Sequence, residues 1–522
     1  MHRFSARLGP TTSPRRTAAN GQNPPHAVAG PAVNAAALPP TRRAEPARRV
    51  LVLGASGYVG SHLVPRLQAL GLPVRAAARD TAPLERHRWR EVELAAADVL
   101  DRASLLRAMR GCGRVYYLVH LMGYGRDLRT LERRAADNVV AAAAEAGCER
   151  LVYLGALAPR DPDSEHIRAR QETGEILRAG RVPVTEIRAG IVVGPGSAAF
   201  EVMRDLVLNL PVMVTPRWVR SKSPPIALDD LLEYLVRLPE LPETAGAVLD
   251  VGGPETVTYE HMMRVLARQA GRREPWIVPV PVLTPRLSSY WLRLVTSVPT
   301  NVARALIEGL RHDFVADDAR ARTLVPQPLT GLEAAVRATF ERERRAEPLP
   351  HWKEGDFAMR GHRHDHAYYA KRASGFAVGE VPVAQAWRQI AAIGGPNGYY
   401  FLDWLWRIRE LVDGAVGGRG ATRSRRDLRD VQVGDHIDTW EVIGVEPERR
   451  LTLKFGMKAP GAGALELEVH GLDPNRTRVS ATAYWHPAGV RGLMYWYALA
   501  PAHGLIFDGL SKEILRRAAQ AR

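Results

Sequence analysis

The sequence predicts a doubly wound, parallel α/β sheet over residues 48–345, followed by an α+β region over residues 367–522. Short apolar runs alternate with amphipathic stretches between residues 50 and 188, and this alternation is typical of parallel strands joined by helical crossovers. A glycine-rich turn separates the first apolar run from the first amphipathic stretch. Period-2 runs between residues 435 and 484, followed by one long helical stretch, predict an antiparallel sheet with a C-terminal helix.

Each element of the first region is predicted from the period of its apolar residues. The strands are predicted at residues 50–53, in a run that ends at residue 79, and at 92–97, 114–119, 150–154, 183–188 and 247–251. The helices are predicted after the glycine turn and at residues 101–111, 128–146, 164–179, 197–210, 228–238, 258–270 and 329–345. The apolar, proline-punctuated stretch 279–299 is expected to form a lobe over the sheet.

The remaining segments differ in composition from the first region. A helix is predicted at residues 383–393, strands at 435–442, 450–457, 464–469 and 477–484, and a long helix at 493–519. Residues 346–366 are predicted to be a linker. Residues 1–47 are rich in Ala, Pro and Arg and lack periodicity, so a disordered tail is predicted. An organellar transit peptide is the alternative for this tail, although its prolines disfavour an amphipathic helix.

The composition disfavours several classes of partner. The formal net charge is +16, but only six of the 72 basic residues are lysine, and the arginines are interleaved with acids. We attribute the charge to a general arginine bias and a basic tail, and predict no nucleic-acid partner. No apolar run approaches about 18 residues, so no transmembrane helix is predicted. The two cysteines, Cys112 and Cys148, indicate a reducing compartment, so a cytoplasmic location is expected, with peripheral membrane contact as an open alternative.

The glycine-rich turn between residues 54 and 60 carries the strongest functional signal. Gly54 allows a tight turn after the first strand, Gly57 lets a phosphate approach the backbone, and Gly60 lets the helix pack close to the strand. The helix that follows directs unpaired N–H groups and a positive dipole end at this point. The pattern therefore predicts a Rossmann-type site for the pyrophosphate of NAD or NADP, with Ser56, Tyr58 and Val59 as further members of the turn.

The end of the second strand bears on the choice between NAD and NADP. Arg79 stands there, about 20 residues beyond the turn. An acid at this position would bind the ribose 2′-hydroxyl of NAD, whereas an arginine accommodates the 2′-phosphate of NADP. Asp80 is adjacent, so NAD stays possible. We predict NADP as the cofactor, with a solvated surface arginine as the alternative interpretation of Arg79.

The motifs of the first region resemble the extended and atypical short-chain dehydrogenase/reductase families, including NmrA-like proteins. The matching stretches are residues 54–60, 98–99, 118–120, 188–196, 226–230 and 250–254. The resemblance implies that Asp98 and Val99 contact the adenine ring. It also implies that Leu118, Val119 and His120 lie beside the nicotinamide ribose.

The sequence departs from these families at the catalytic positions. The families use a serine after the fifth strand and a Tyr-xxx-Lys motif on the fifth helix. Here Gly155-Ala156 replaces the serine, and His166 and Arg170 replace the tyrosine and the lysine. His166 is our candidate proton donor, because imidazole titrates near neutral pH. Arg170 is the candidate to hold a ribose or phosphate. An exposed helical histidine without a chemical role is an equally good interpretation.

The two-part arrangement resembles a bacterial group of NAD(P)H-binding proteins with an uncharacterised C-terminal domain. Matching stretches are residues 210–218, 281–291 and 398–406. The C-terminal domain looks like a helix-grip fold of the START and polyketide-cyclase type, which implies an apolar small-molecule ligand. Its aromatic residues are expected to line a cavity, face a membrane surface or form the core; they are Tyr399, Tyr400, Trp404, Trp406, Tyr484, Trp485, Tyr495, Trp496 and Tyr497.

Two further clusters are weaker signals. His362, His364 and His366 have metal-ligand character, but they lie in the predicted linker without other ligands, so no metal site is predicted. A group of arginines at positions 419, 423, 425 and 426 could bind an anion or a lipid headgroup, although a solvated loop is the preferred interpretation.

Three hypotheses for function follow. The leading one is an NADP-dependent oxidoreductase that acts on an apolar small molecule, such as a quinone, a sterol-like compound or a polyketide. The second is a regulator that senses NADP without turnover. The third is a membrane-surface binding or assembly protein in which the nucleotide fold is structural.

Overall fold

The computed structural model describes most of the chain beyond residue 47. The described residues are 48–85, 87, 89–121, 127–159, 164–280, 294–299, 302–304, 306, 312–345, 369–415, 417, 425, 427 and 430–521. The predicted tail and linker, the matching stretch 281–291, the three linker histidines, and Arg419, Arg423 and Arg426 of the arginine group lie outside these residues. Within the described part, no helix has both the length and the apolar character needed to cross a membrane.

A parallel sheet organises the first region. Among the described residues it has seven strands, in the order β11-β6-β5-β4-β1-β2-β3. These strands are β1 (Arg49–Leu53), β2 (Val74–Ala78), β3 (Glu93–Ala96), β4 (Cys112–Tyr117), β5 (Arg150–Ala156), β6 (Val184–Ala189) and β11 (Val248–Val251). The winding direction reverses between β1 and β4, which opens a crevice at the carboxyl ends of these two strands. The predicted doubly wound sheet is confirmed.

Helices cover both faces of this sheet or pack in the lobe above its carboxyl edge. They are α1 (Tyr58–Ala69), α2 (Ala82–Glu85), α3 (Arg102–Met109), α4 (Leu128–Ala146), α5 (Glu165–Arg178), α6 (Ala198–Asn209), α7 (Leu228–Arg237), α8 (Tyr259–Gln269), α9 (Ala319–Leu324) and α10 (Leu332–Arg345). Local sequence sets several ends: the Asp101 side chain accepts a bond from the Ala103 N–H at 3.0 Å and starts α3, and Gly147, at φ 69°, ends α4. The sheet therefore has an apolar core on each face.

Shorter strands lie above the carboxyl edge of the sheet. They are β7 (Val192–Val193), β8 (Val212–Pro216), β9 (Lys222–Ser223), β10 (Ile226–Ala227), β12 (Val257–Thr258) and β13 (Trp276–Val280). They pair two by two, as β7 with β10, β8 with β13, and β9 with β12. Their apolar side chains pack with α6, α8 and α10 in a third core. Residues of this lobe, such as Val192 and Ser223, line the crevice.

The second region is an antiparallel sheet with a long helix against it. The described strands are β14 (Lys371–Gly379), β15 (His436–Ile437), β16 (Trp440–Glu446), β17 (Arg450–Phe455), β18 (Gly461–Asp473) and β19 (Arg476–Pro487), in the order β14-β19-β18-β17-β16-β15. The helices are α11 (Val383–Ala391), α12 (Asp403–Ala415) and α13 (Gly489–Gln520). This confirms the predicted α+β class, while α12 was not predicted.

The C-terminal helix lies directly on the sheet because of one glycine. A Cβ at Gly375 of β14 would fall 2.2 Å from the backbone nitrogen of Asp508 in α13. The two regions also contact each other near this strand. The Tyr369 hydroxyl donates to the Gly196 carbonyl at 2.9 Å, and Lys371 donates to the Thr296 carbonyl at 2.7 Å. The second region is therefore attached to the lobe above the crevice.

Candidate active site

A cleft of about 630 Å³ opens at the carboxyl edge of the parallel sheet. It lies at the carboxyl ends of the paired strands β1 and β4, where the chain connections leave in opposite directions, as expected for a doubly wound sheet. Most of the residues predicted from sequence line this cleft; they are Gly54, Ser56, Gly57, Tyr58, Val59, Gly60, Arg79, Val99, Leu118, Val119, His120, His166 and Arg170.

The glycine turn forms one wall of the cleft, and only glycine fits two of its positions. Gly54 has φ +85°, in the left-handed region, and a Cβ there would also press on the Leu118 backbone at 3.1 Å. A Cβ at Gly60 would lie 2.3 Å from the Gly54 carbonyl oxygen. The close approach of turn and helix leaves exposed backbone where a pyrophosphate would lie, so the residues present fit a dinucleotide.

The charges around the turn also suit an anion. Helix α1 begins at Tyr58 with no acidic residue in its first turn and, within the described residues, no side chain that caps its N–H groups. Arg79 follows β2 directly and lines the same cleft. The helix end and Arg79 therefore give this wall a positive potential.

Asp98 is set back from the cleft, unlike its neighbour Val99. Its carboxylate accepts a hydrogen bond from the Leu100 N–H at 2.9 Å, and its N–H faces the Ser104 hydroxyl at 3.0 Å. These contacts shape the loop after β3. The role in adenine contact that the resemblance implies for Asp98 stays a prediction, whereas its neighbours Ala97 and Val99 line the cleft.

A chain of three ionisable side chains leads from the buried Glu132 to two histidines that line the cleft. The Nδ1 atom of His120 lies 2.6 Å from the Oε1 atom of Glu132, and its Nε2 atom lies 3.1 Å from the Nδ1 atom of His166. The two imidazole rings stack with their centroids 4.7 Å apart. Glu132 is fully buried and also accepts the Leu121 N–H at 2.8 Å. The contacts form a continuous path for a proton from Glu132 to His166.

The protonation states of this chain follow from its surroundings. Burial alone would raise the pKa of Glu132, but hydrogen bonding to His120 and the charges of His120 and Arg170 hold its pKa below the usual value. Burial lowers the pKa of His120, and the bond to Glu132 opposes this only in part. Burial, with repulsion from His120 and Arg170, puts the pKa of His166 well below 6.5. Near neutral pH, Glu132 is therefore ionised and His166 is neutral.

Arg170 lies one helical turn beyond His166 on α5 and is held from several sides. Its Nη2 donates to the Leu154 carbonyl, and its guanidinium stacks over the Tyr153 ring, 4.8 Å from the centroid. The Tyr153 hydroxyl donates to the Arg170 carbonyl at 3.1 Å. Arg170 thus joins α5 to β5 and places a fixed positive charge beside the two histidines.

Comparisons with known proteins agree with this architecture. A family model described as NAD(P)H-binding matches residues 54–190, and one described as protein of unknown function (DUF2867) matches residues 365–510. The chain is 30% identical over 296 residues to (4-alkanoyl-5-oxo-2,5-dihydrofuran-3-yl)methyl phosphate reductase of Streptomyces griseus. This alignment covers 55% of this chain and 94% of the relative. The chain belongs to the NAD(P)H-binding short-chain dehydrogenase/reductase family.

Other reductases also align with the chain. The chain is 30% identical over 275 residues to chloroplastic divinyl chlorophyllide a 8-vinyl-reductase of Zea mays, covering 49% of this chain and 67% of the relative. Among solved structures, an NADPH-dependent quinone oxidoreductase of Escherichia coli, complexed with NADPH, aligns with a TM-score of 0.46 at 18% identity, over 56% of this chain and 99% of that one. The triphenylmethane reductase of Citrobacter sp., complexed with NADP(H), aligns with the same TM-score of 0.46 and 18% identity, again over 56% of this chain and 99% of that one.

Within the reductase family, the most informative residue that sequence analysis missed is Glu132. It lies on α4, and residues 128, 135, 136 and 139 of the same face are buried. A single carboxylate on an otherwise apolar helix face could have predicted a buried, paired acid from the sequence, because an acid is rarely buried unless it is paired. Sequence analysis also missed cleft-lining residues from the lobe and the second region, namely Tyr259, Leu306, Phe314 and Tyr369.

The four-residue spacing of the family's Tyr-xxx-Lys motif is kept, with different chemistry. His166 and Arg170 both line the cleft, so α5 presents one titratable group and one permanent cation there. The described residues contain no cluster of three or more His, Cys, Asp or Glu suited to a metal ion. The roles of His166 and Arg170 in turnover stay predictions.

Proposed function

We propose that the protein is an NADPH-dependent reductase of an apolar small molecule, with His166 as the proton donor. The observation that carries this proposal is the contact chain from Glu132 through His120 to His166 in the cleft. A charged group buried with two histidines at a nucleotide-type crevice is more than packing requires. The relatives named above are reductases of small molecules, which supports the same reaction class.

The proposed nucleotide site uses the residues predicted from sequence. The N–H groups at the start of α1 and the turn Gly54–Gly60 would hold the pyrophosphate. Arg79 would bind the 2′-phosphate, which favours NADP over NAD. Leu118 and Val119 would lie along the nicotinamide ribose. When bound, the reduced nucleotide supplies the hydride, and the residues of the chain supply binding, orientation and a proton.

The proton path follows from the ionised state of Glu132. Its carboxylate holds a proton on Nδ1 of His120. In the doubly protonated form of His120, which its lowered pKa confines to acidic pH, the second proton occupies Nε2 and faces His166. His166 then carries its own proton on Nε2 and can donate it to the substrate while its Nδ1 takes the proton of His120. After this transfer the pair of histidines has one proton fewer, and a proton from solvent restores it. His166 thus acts as an acid without becoming a cation itself.

The substrate side of the cleft is mainly apolar. Leu157, Ile191, Leu306 and Phe314 line it together with other aliphatic side chains. Such walls favour a flat, poorly hydrated molecule whose one polar atom meets His166. We therefore propose a quinone or a conjugated enone as the substrate class.

The test is nucleotide titration and turnover with the full-length protein. We expect NADPH to bind more tightly than NADH, and Arg79→Ala to weaken NADPH binding about tenfold while NADH binding stays the same, since a charge-assisted phosphate contact contributes roughly 1.5–3 kcal/mol. Arg107→Ala, an exposed arginine on α3, is the matched control. NADPH consumption with a quinone and with an enone measures turnover.

The role of His166 has a separate readout. His166→Ala should lower turnover by about 10²- to 10⁴-fold, as for a lost general acid, with NADPH affinity unchanged. His261→Ala, an exposed histidine on α8, is the control. If His166→Ala leaves turnover intact, the proton donor is wrongly assigned. If neither nucleotide binds below millimolar concentration, the cofactor proposal fails, and tight binding without any turnover would instead support a sensor.

A further inference from the structure

A second cavity, of about 340 Å³, lies in the C-terminal region. It is enclosed by α12, α13 and strands β16 to β19, and among the described residues none lines both this cavity and the cleft described above. Its wall is almost entirely aliphatic and aromatic. Trp406, Trp440, Phe455, Trp485 and Trp496 supply most of the aromatic surface.

Several polar groups of this wall have partners in the protein. The Tyr484 hydroxyl donates to Glu466 at 3.1 Å, and the Trp485 ring N–H donates to the Gly492 carbonyl at 3.1 Å. These groups are therefore satisfied without a ligand. The polar groups available for recognition include the guanidinium of Arg409, the hydroxyl of Tyr495, the imidazole of His503 and the ring N–H of Trp406, which is buried without a hydrogen-bond partner.

Arg409 lies among aromatic rings without a compensating acid. Its guanidinium is 4.3 Å from the Phe455 ring centroid and 5.8 Å from that of Trp406. It donates to the Tyr495 hydroxyl at 2.8 Å, while its Nε atom is buried and has no hydrogen-bond partner. Within the described part of the chain, no carboxylate pairs with it. Arg409 is half-buried, and aromatic faces only partly compensate a partly desolvated cation, so an anion here would gain a charge-assisted bond.

The neighbouring histidine does not add a second charge. Burial, and then the positive charge of Arg409, lower the pKa of His503 to about 4. His503 is therefore neutral at pH 7, and its ring packs against Trp496 with the centroids 4.4 Å apart. The cavity thus presents one cation, so it matches a ligand with one negative charge rather than two.

The cavity has an entrance on the α12 side. Ile408 and Val412 line it although they are 50% and 58% exposed. They lie four residues apart on α12, hence on one face of the helix. A ligand can therefore enter between α12 and α13 without separation of the sheet strands.

From these contacts we infer that the C-terminal cavity binds an apolar small molecule that carries a single carboxylate. The carboxylate lies on Arg409 and Tyr495, and the apolar body lies against the tryptophans of the sheet. The volume is at the lower end of the range for ligand sites, about 300–1,000 Å³, which suits a medium-chain or single-ring acid. The site is separate from the reductase cleft and does not depend on turnover there.

The test compares decanoate with 1-decanol, which share an alkyl chain and differ in charge. Binding to the full-length protein is followed by tryptophan fluorescence and by calorimetry. We expect decanoate to bind at least tenfold more tightly than 1-decanol. Arg409→Gln should weaken decanoate binding about tenfold or more and leave 1-decanol unchanged, because it removes only the charge-assisted bond. Arg407→Gln, on the exposed face of the same helix, should change neither.

Two further variants keep the test decisive. Arg409→Lys retains the charge and should retain part of the preference for decanoate. If thermal unfolding shows that Arg409→Gln is not folded, the Arg409→Lys variant still tests the role of the charge. Ala502→Trp fills the cavity from α13 without altering Arg409 and should abolish binding of both probes. Equal affinities for the two probes, equal effects of the Arg409→Gln and Arg407→Gln changes, or full binding by Ala502→Trp would each overturn the inference.

Discussion

The two pockets of this protein are built in opposite ways. The cleft of the first region is made from a glycine turn, a helix end and a chain of ionisable groups at one sheet edge. The cavity of the second region is made almost wholly from large side chains around one arginine. A site formed by backbone atoms depends on positions where no side chain fits. A site formed by side chains depends on the volume that they leave open and on one well-placed charge. We therefore expect different substitutions to abolish ligand binding in the two pockets.

The largest effect is expected from Gly60→Val. Its Cβ would lie 2.3 Å from the Gly54 carbonyl oxygen, so the turn must move away from α1. We expect NADPH affinity to fall by more than about a hundredfold, because the backbone phosphate site is lost. Decanoate binding in the C-terminal cavity should be unchanged, and parallel titrations measure both.

Gly504→Ala is the matched control for that change. Gly504 is exposed on α13, and a Cβ there meets no atom within 4 Å. The variant should keep both binding activities and gain up to about 1 kcal/mol of stability, because alanine is the better helix former. Loss of decanoate binding by Gly60→Val would show that the two pockets are not independent.

Glu132→Gln should have an intermediate effect that is confined to the cleft. The amide keeps the shape but removes the negative charge that holds a proton on His120. We expect kcat to fall about 10- to 100-fold, less than the roughly 10²- to 10⁴-fold typical of a general acid–base group, because Glu132 acts through His120, while NADPH affinity is kept. Since the pKa of His120 lies below 6.5, wild-type reduction should slow as pH rises, and the variant should require a still lower pH.

A structural role alone would not shift that pH profile. Glu145→Gln is the control on the same helix, because Glu145 is exposed and pairs with Arg102 at 2.7 Å. It should leave both kcat and the pH profile unchanged. An unaltered profile for Glu132→Gln would remove Glu132 from the proton path.

The smallest effects are expected in the pH dependence of stability. His166 and His503 have folded-state pKa values below the unfolded value of about 6.5, well below it for His166 and about 4 for His503. The unfolded chain then binds protons that the folded chain does not, so the free energy of unfolding falls as pH drops below 6.5. Urea midpoints at pH 7 and pH 5 should differ less in His166→Asn than in wild type, and slightly less in His503→Asn. Unchanged differences would contradict burial of these rings in neutral form.

Local sequence explains why much of the first region was predictable. The strand–turn–helix unit at the start and helix α4, whose bounds of Leu128 and Ala146 were predicted from sequence, follow from short-range periodicity and glycine stops. The phosphate wall of the cleft is predictable for the same reason, since it is built from neighbouring residues. His166 was identified from its place in a family motif, but its contact with His120 joins residues 46 positions apart.

The second region was less predictable because its site is assembled from distant segments. Helix α12 was not predicted, since its exposed residues Trp404, Ile408, Leu411 and Val412 are apolar and obscure the usual amphipathic pattern. Arg409 approaches Phe455 and Tyr495 only after the sheet and α13 have formed. The aromatic composition indicated a cavity or a core, but not the cation within it.

Tyr369 has a consequence for how the chain can be divided. It precedes β14 of the second region, yet it lines the cleft of the first and donates its hydroxyl to Gly196. A fragment that ends at residue 345 would keep the glycine turn and both histidines but would lack part of the cleft wall. We expect this fragment to retain its affinity for the nucleotide and to become less selective among substrates. The proposed nucleotide site therefore belongs to the first region, whereas the wall of the proposed substrate site includes a residue of the second.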